Sequence, residues 1–203
     1  MVPGDVPRRD PRYPRSVPPS KKPADELHAL AAPRELIDWV RVMPPESAAR
    51  TAWVDATRAD WMPYLAKLRG IGDDTILRAT CECAVDTFAS LDGPEAARVL
   101  GVLRQTIENG RPALASVEAD LADLKLAIIA WSHQTRPTAR PPWMHAAELV
   151  FELARASVRG RVIVGIALAL KMLAHANPRG KPSARPAHND LVARFRDKLV
   201  LAG

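Results

Sequence analysis

Leu114, Val117, Leu121, Leu124, Ile128 and Trp131 follow one another at spacings of 3, 4, 3, 4 and 3. Side chains three and four apart stack on one face of an α-helix, whereas a strand returns every second side chain to the same side. A seam of this length fits a helix and no strand. Glu118, Asp120, Asp123 and Lys125 fall off the seam, so the spacing predicts one amphipathic helix over 112–131 with its apolar face on a core. The seam ends before three heptads, which favours a helix of a bundle over an isolated coiled coil.

The same period recurs on both sides, between clear breakers. Residues 25–43 are apolar at Leu27, Leu30, Leu36, Trp39 and Val40, with a break at Pro33. Pro45 suits the first turn of a helix reaching Ala59. Trp61-Met62-Pro63 opens a short helix that ends at Gly70. Asp73 is placed to cap a helix over 74–91, with Leu77, Thr80 or Cys81, Ala84, Phe88 and Leu91 on its stripe. Gly93-Pro94-Glu95 starts the next, striped by Ala96, Val99, Leu100, Leu103 and Ile107 and stopped by Gly110. A loop over 132–142, SHQTRPTARPP, leads to a helix from Pro142 through Ala147, Val150, Ala154 and Val158. The run over 161–176 is apolar on nearly all sides and reads as central; Asn177-Pro178 ends it. A last helix over 189–201, capped by Asn189, carries Leu191, Val192, Phe195 and Leu199 on one side. No alternating strand is visible. The fold class is therefore all-α: a single-domain bundle of about 7–9 helices. With 34 Ala and 21 Leu against 10 Gly, composition agrees.

The ends read differently. Residues 1–23 hold seven of the 19 prolines and have little to bury, so 1–24 reads as a disordered, Pro/Arg-rich tail. Residues 25–176 form the helical domain, and 177–203 a Pro-rich linker, NPRGKPSARPAHND, plus the short C-terminal helix. The net charge is +6, which suggests a nucleic-acid binder until the charges are located. Residues 1–24 carry six Lys/Arg against two Asp/Glu, and residues 177–203 the same, so 25–176 has net charge −2. A groove-binding domain carries its basic stripe on the folded body, and this body is not built around phosphate. Nucleic acid would be met only through the tails, chiefly Arg8, Arg9, Arg12, Arg15, Lys21 and Lys22. The N-terminal stretch has basic residues but no apolar run after them, so it is not read as a secretory signal. The longest apolar run, 162–170, falls far short of the ~20 residues needed to span a bilayer. A cytoplasmic protein with no membrane partner is expected.

Chemistry leaves little trace. Cys81 and Cys83 lie one residue apart, and on a helix they point about 200° apart, so neither a disulfide nor a shared metal is expected. The reading is a pair of small packed thiols in a reducing compartment. His28, His133, His145, His175 and His188 show no zinc spacing. Gly180-Lys181-Pro182-Ser183 resembles the end of a phosphate loop, but no strand precedes it and Pro182 blocks the helix start. Ser132-His133 lacks an orienting acid nearby. Glu82 with Asp86, and Glu148 with Glu152, are carboxylate pairs four apart that would bind a metal only across facing helices. Neither pair has the Glu-x-x-His pattern, so solvated helix faces are expected. No catalytic, cofactor-binding or metal-binding residue is assigned, and no cofactor is expected.

One resemblance stands beside this reading. ILRATCECAVDTF (76–88), a helix ending in RQTIENGRPAL (104–114) and an Ala-rich helix pair ending in ALKMLAHA (169–176) resemble the Ala-rich, all-helical immunity proteins of bacterial polymorphic-toxin systems. The likeness covers about 100 residues of 203. The proline-rich leader, the 132–142 loop and the faintly acidic body depart from it. It implies a non-enzymatic, protein-binding domain that neutralises a cognate toxin domain, and it carries over no catalytic residue. The alternative is a basic-tailed helical protein that associates with nucleic acid or another polyanion.

Overall fold

The computed structural model describes residues 22–133, 140–176 and 184–201, with side chains in the last stretch from His188 to Val200. The tail over 1–21 and the linker over 177–183 lie outside the described residues. Within them the chain is all helical, with eleven α-helices where 7–9 are expected. In order these are α1 (Pro23–Ala29), α2 (Arg34–Arg41), α3 (Ala48–Asp55), α4 (Met62–Leu68), α5 (Asp73–Phe88), α6 (Pro94–Asn109), α7 (Val117–Asp120), α8 (Ala122–Ser132), α9 (Pro142–Val158), α10 (Val162–His175) and α11 (Ala184–Leu201). Short 3₁₀ turns at Ala59–Trp61 and Arg111–Leu114 lead into α4 and α7.

The breakers set most of these boundaries. Pro33, extended at φ −54° and ψ 140°, separates α1 from α2. Gly93 (φ 106°) and Gly110 (φ 70°) bracket α6 with backbone that a side chain would strain. Pro94 and Pro142 occupy first turns, where a missing N–H leaves no bond unmade. Asp73 is not a cap. It sits inside the first turn of α5, paired to Lys67 at 2.7 Å, where its charge favours the positive helix end.

The expected single helix over 112–131 is broken into three pieces. Leu121 takes φ −118° and ψ 23°, outside the helical region, between α7 and α8. Arg98 of α6 holds the break: it donates to the backbone carbonyl of Asp120 (2.6 Å) and to both carboxylate oxygens of Asp123 (2.6 and 2.9 Å). A carbonyl taken by a guanidinium no longer needs the helical ladder. Leu114, Val117, Leu121 and Leu124 are buried as the spacing predicts, but Ile128 and Trp131 are only half-buried. The seam meets the body over its first half, and α8 then runs along the edge.

α10 is central, packed against α9, α5, α11, α4 and the 59–61 turn. It has no charge before Lys171, and Ile166 and Leu170 are fully buried. Gly165 makes its contact with α9 possible: a Cβ there would lie 2.1 Å from the Cβ of Ala156. The C-terminal helix is longer than expected and belongs to the core. It starts at Ala184, not at an Asn189 cap, and 184–190 is helix instead of linker. Leu191, Val192, Phe195 and Leu199 join the same hydrophobic cluster that begins at Ala24. Arg196 fixes this helix to the end of α3 by donating to the carbonyls of Trp53, Val54 (3.0 Å) and Ala56 (3.2 Å), groups a helix C-terminus leaves unpaired.

Candidate functional site

The strongest nucleophiles the chain could offer are its two thiols. Cys81 and Cys83 are free and fully buried on α5. Burial pushes both up to about 12, the nearby carboxylates adding to the effect. A thiol that far above neutrality is not a thiolate at physiological pH and does not attack.

The two carboxylate pairs are each tied up by cations. Glu82 pairs with Arg78 (3.1 Å) and Lys198 (3.8 Å), and Lys198 also reaches Asp86 (3.1 Å). Glu148 is bound by Arg140, and Glu152 by Arg155. Among the described residues no cluster of three or more His, Cys, Asp or Glu is arranged to hold a metal. The pairs that the spacing singles out are held as ion pairs on helix surfaces.

A second polar cluster, invisible in the linear sequence, sits where α11 meets the 59–61 turn. Asp60 is buried and accepts from Nε and Nη2 of Arg58 (3.2 and 2.7 Å). Arg58 lies over the Trp61 ring at 4.7 Å, and Trp61 packs on Trp39. His188 of α11 accepts the backbone N–H of Ala59 at Nδ1 (3.3 Å) and meets His175 edge-on at 5.6 Å. Burial lowers His188 below its ordinary value, and His175, Arg58 and Lys171 add to this while Asp60 opposes it. The charged groups here are spent on each other, while the buried indole N–H of Trp61 has no hydrogen-bond partner among the described residues. The cluster seats a helix and offers no free nucleophile.

The surface with unspent capacity is elsewhere. α8 reads ADLKLAIIAWS: it is apolar all round, with only Asp123 and Lys125 charged. A helix of this kind belongs inside a protein, yet only Leu124 of α8 is buried. Leu126 is 67% exposed and Ile129 45%. Across from it, Leu168 of α10 is 41% exposed. Between α8, α9 and α10 lies a groove of about 420 Å³, lined by Ile128, Ile129, Phe151, Leu168 and Met172 among others. Its polar lining is already paired: Glu148 to Arg140, Glu152 to Arg155, and Lys125 to Glu118 at 3.2 Å, with Lys125 also near the Phe151 ring at 5.9 Å. Arg140 lies over the Trp131 ring at 5.3 Å, at the far end of α8. His145 is lowered below its ordinary value by burial and by the adjacent Arg140.

Comparison of the chain with protein-family models, curated proteins and solved structures finds no match. Among the described residues no helix is long and apolar enough to cross a membrane. Glu148 and Glu152, expected on a solvated helix face, line this groove in ion pairs, and the seam expected in the core leaves it along α8. The overlooked signal is the second apolar face of α8, Leu126 and Ile129, which lies off the seam.

Proposed function

We propose that the chain is a non-enzymatic, protein-binding helical domain of the immunity-protein kind, and that its partner docks on the face formed by α8, α9 and α10. The observation that carries this is α8, an all-round apolar helix that the body covers along one edge only. Exposed apolar residues that are contiguous and rimmed by charges mark interaction sites. The apolar anchors that hold most interface energy are in place on rigid helices. The segments that carry the family resemblance fall in α5, at the end of α6 and in α10. The stretch in α5 is mostly core, the one in α10 half-buried and the one at the end of α6 largely exposed, and none lies on α8, so the resemblance bears on the kind of partner and not on the docking face.

The experiment is a titration of the full chain and of Leu168→Asp against a candidate toxin domain, and against a generic DNA duplex at two salt concentrations. The proposal expects partner binding that Leu168→Asp weakens by about tenfold or more, the size of a lost interface anchor. Duplex binding that falls steeply with salt and ignores Leu168→Asp, with no partner binding, would favour the alternative, association through the basic ends.

A further inference from the structure

We propose that His188 is an acid-sensitive latch: a proton added to its ring frees the start of α11 from the 59–61 turn while the rest of the helix stays docked. The latch is one long-range bond. Nδ1 of His188 accepts the backbone N–H of Ala59 at 3.3 Å, across 129 residues of chain. Accepting at Nδ1 requires the neutral ring with its proton on Nε2, because an imidazolium donates at both nitrogens. Protonation sets N–H against N–H and ends the bond. Among the described residues the Ala59 N–H has no other acceptor. Ala59 is fully buried, so its orphaned amide reaches water only when the cover above it lifts, and a buried donor without a partner favours that lifting.

The surroundings give an imidazolium no free counter-charge. The titratable and charged groups that act on His188 are Arg58 and Asp60 at the turn and Lys171 and His175 of α10; α5 contributes none among the described residues. Asp60 is the one acid, and its carboxylate already accepts Nε and Nη2 of Arg58. His175 meets the His188 ring edge-on at 5.6 Å, and its Nδ1 lies 2.8 Å from the carbonyl of Lys171, which takes a donor. A charge on either ring repels a charge on the other, so acid loads the junction from both sides.

Past Leu191 other contacts hold the helix. Val192, Phe195 and Leu199 are buried with Leu191. Arg196 donates to the carbonyls of Val54 and Ala56, and Lys198 sits between Glu82 and Asp86. Ordinary carboxylates and amines titrate outside the range from pH 5.5 to 7.5, so these contacts keep their charge while the histidines change theirs. The opening stops near Leu191 and leaves the core in place.

Amide hydrogen exchange of the full chain at pH 7.5 and 5.5, expressed as protection relative to the unfolded rate at each pH, tests the latch. An opening linked to one proton gains up to about tenfold in population for each pH unit below the ordinary histidine value. Protection of Ala59 and of the first turns of α11 is expected to fall about fivefold to tenfold at pH 5.5, with Phe195–Leu199 and α5 unchanged. His188→Asn keeps an acceptor but does not titrate, and should abolish the pH effect. Lys171→Gln, at an exposed position, removes a facing cation and should shrink the effect by easing the imidazolium into the closed form. Far-UV circular dichroism at both pH values confirms that each variant is folded. A fall below twofold, a fall that survives His188→Asn, or one spread evenly over Phe195–Leu199 and α5 would overturn the latch. Should His188→Asn fail to fold, an effect in Lys171→Gln as large as in the parent overturns it alone.

Discussion

Gly165→Ala puts the packing of α10 on α9 to the test. In an open helix interior, replacing Gly by Ala gains about 1 kcal/mol, because Gly has more backbone freedom to lose. Here the new Cβ would stand 2.1 Å from the Cβ of Ala156, whereas ordinary contact begins near 3.4 Å. The shortfall is 1.3 Å, and neither carbon can swing away, since both are fixed to helix backbones. The helices must part, loosening Ile166 and Leu170 on one side and Leu149 and Leu153 on the other, all buried. Overpacking of this kind costs about 3 kcal/mol, the upper part of its usual range. After the propensity gain, a net loss of about 2 kcal/mol remains, or roughly 4–8 °C in Tm for a chain this long. Urea and thermal unfolding followed by circular dichroism measure it. Ala156→Gly alone should cost about 1 kcal/mol, but placed on Gly165→Ala it should restore stability to within about 1 kcal/mol of the parent, because the clash is gone and the residues have merely exchanged sides. A rise in Tm for Gly165→Ala, or additive losses in the double variant, would refute the close approach. It would also remove the basis for the groove's shape, since α9 and α10 form two of its walls.

Arg196→Ala should destabilise by about 1–3 kcal/mol by leaving carbonyls at the end of α3 without their donor, and Arg196→Lys should recover less than half of that, since a point charge cannot reproduce the guanidinium's geometry; chemical denaturation of both variants checks this. His188 is held neutral in the fold, below its ordinary 6.5, so the unfolded chain binds more protons and stability falls as pH drops below 6.5 towards the lowered folded value, being fully present above 6.5. His188→Asn, which keeps an acceptor for the Ala59 N–H, should flatten that part of the pH–stability curve, and an unchanged slope would contradict the assignment. Cys81 and Cys83 should resist a thiol reagent in the folded chain at mildly alkaline pH and react on unfolding; fast native labelling would show that α5 is not buried as described.

Local chemistry made the body readable in the sequence. Pro33, Pro94, Gly110 and Pro142 act through their own backbones, so their effects need no knowledge of the rest of the fold. The apolar face of α11 was visible too, although its start was not: Pro186 lies in the first helical turn, where it is tolerated, while the linear reading treats it as part of a linker. The break at Leu121 escaped because Arg98, more than twenty residues earlier, holds the freed carbonyl of Asp120. Spacing cannot register a donor that arrives from another helix. The groove was hidden for a related reason. An all-round apolar helix is an instruction to be covered, and the sequence of α8 does not distinguish cover by its own chain from cover by another. The polar seat of α11 joins Asp60 to His188 across the whole body, which no local pattern encodes.

The central claim, that α8 with α10 forms the face on which a partner protein docks, is tested most directly by hydrogen–deuterium exchange of the full chain with and without the toxin domain that it binds in titration. The account predicts new protection of the amides of Ala122–Ser132 and of Val162–His175 in the complex, with α1 to α5 unchanged. Protection confined to other helices, or none in α8 under conditions where binding is complete, would contradict it.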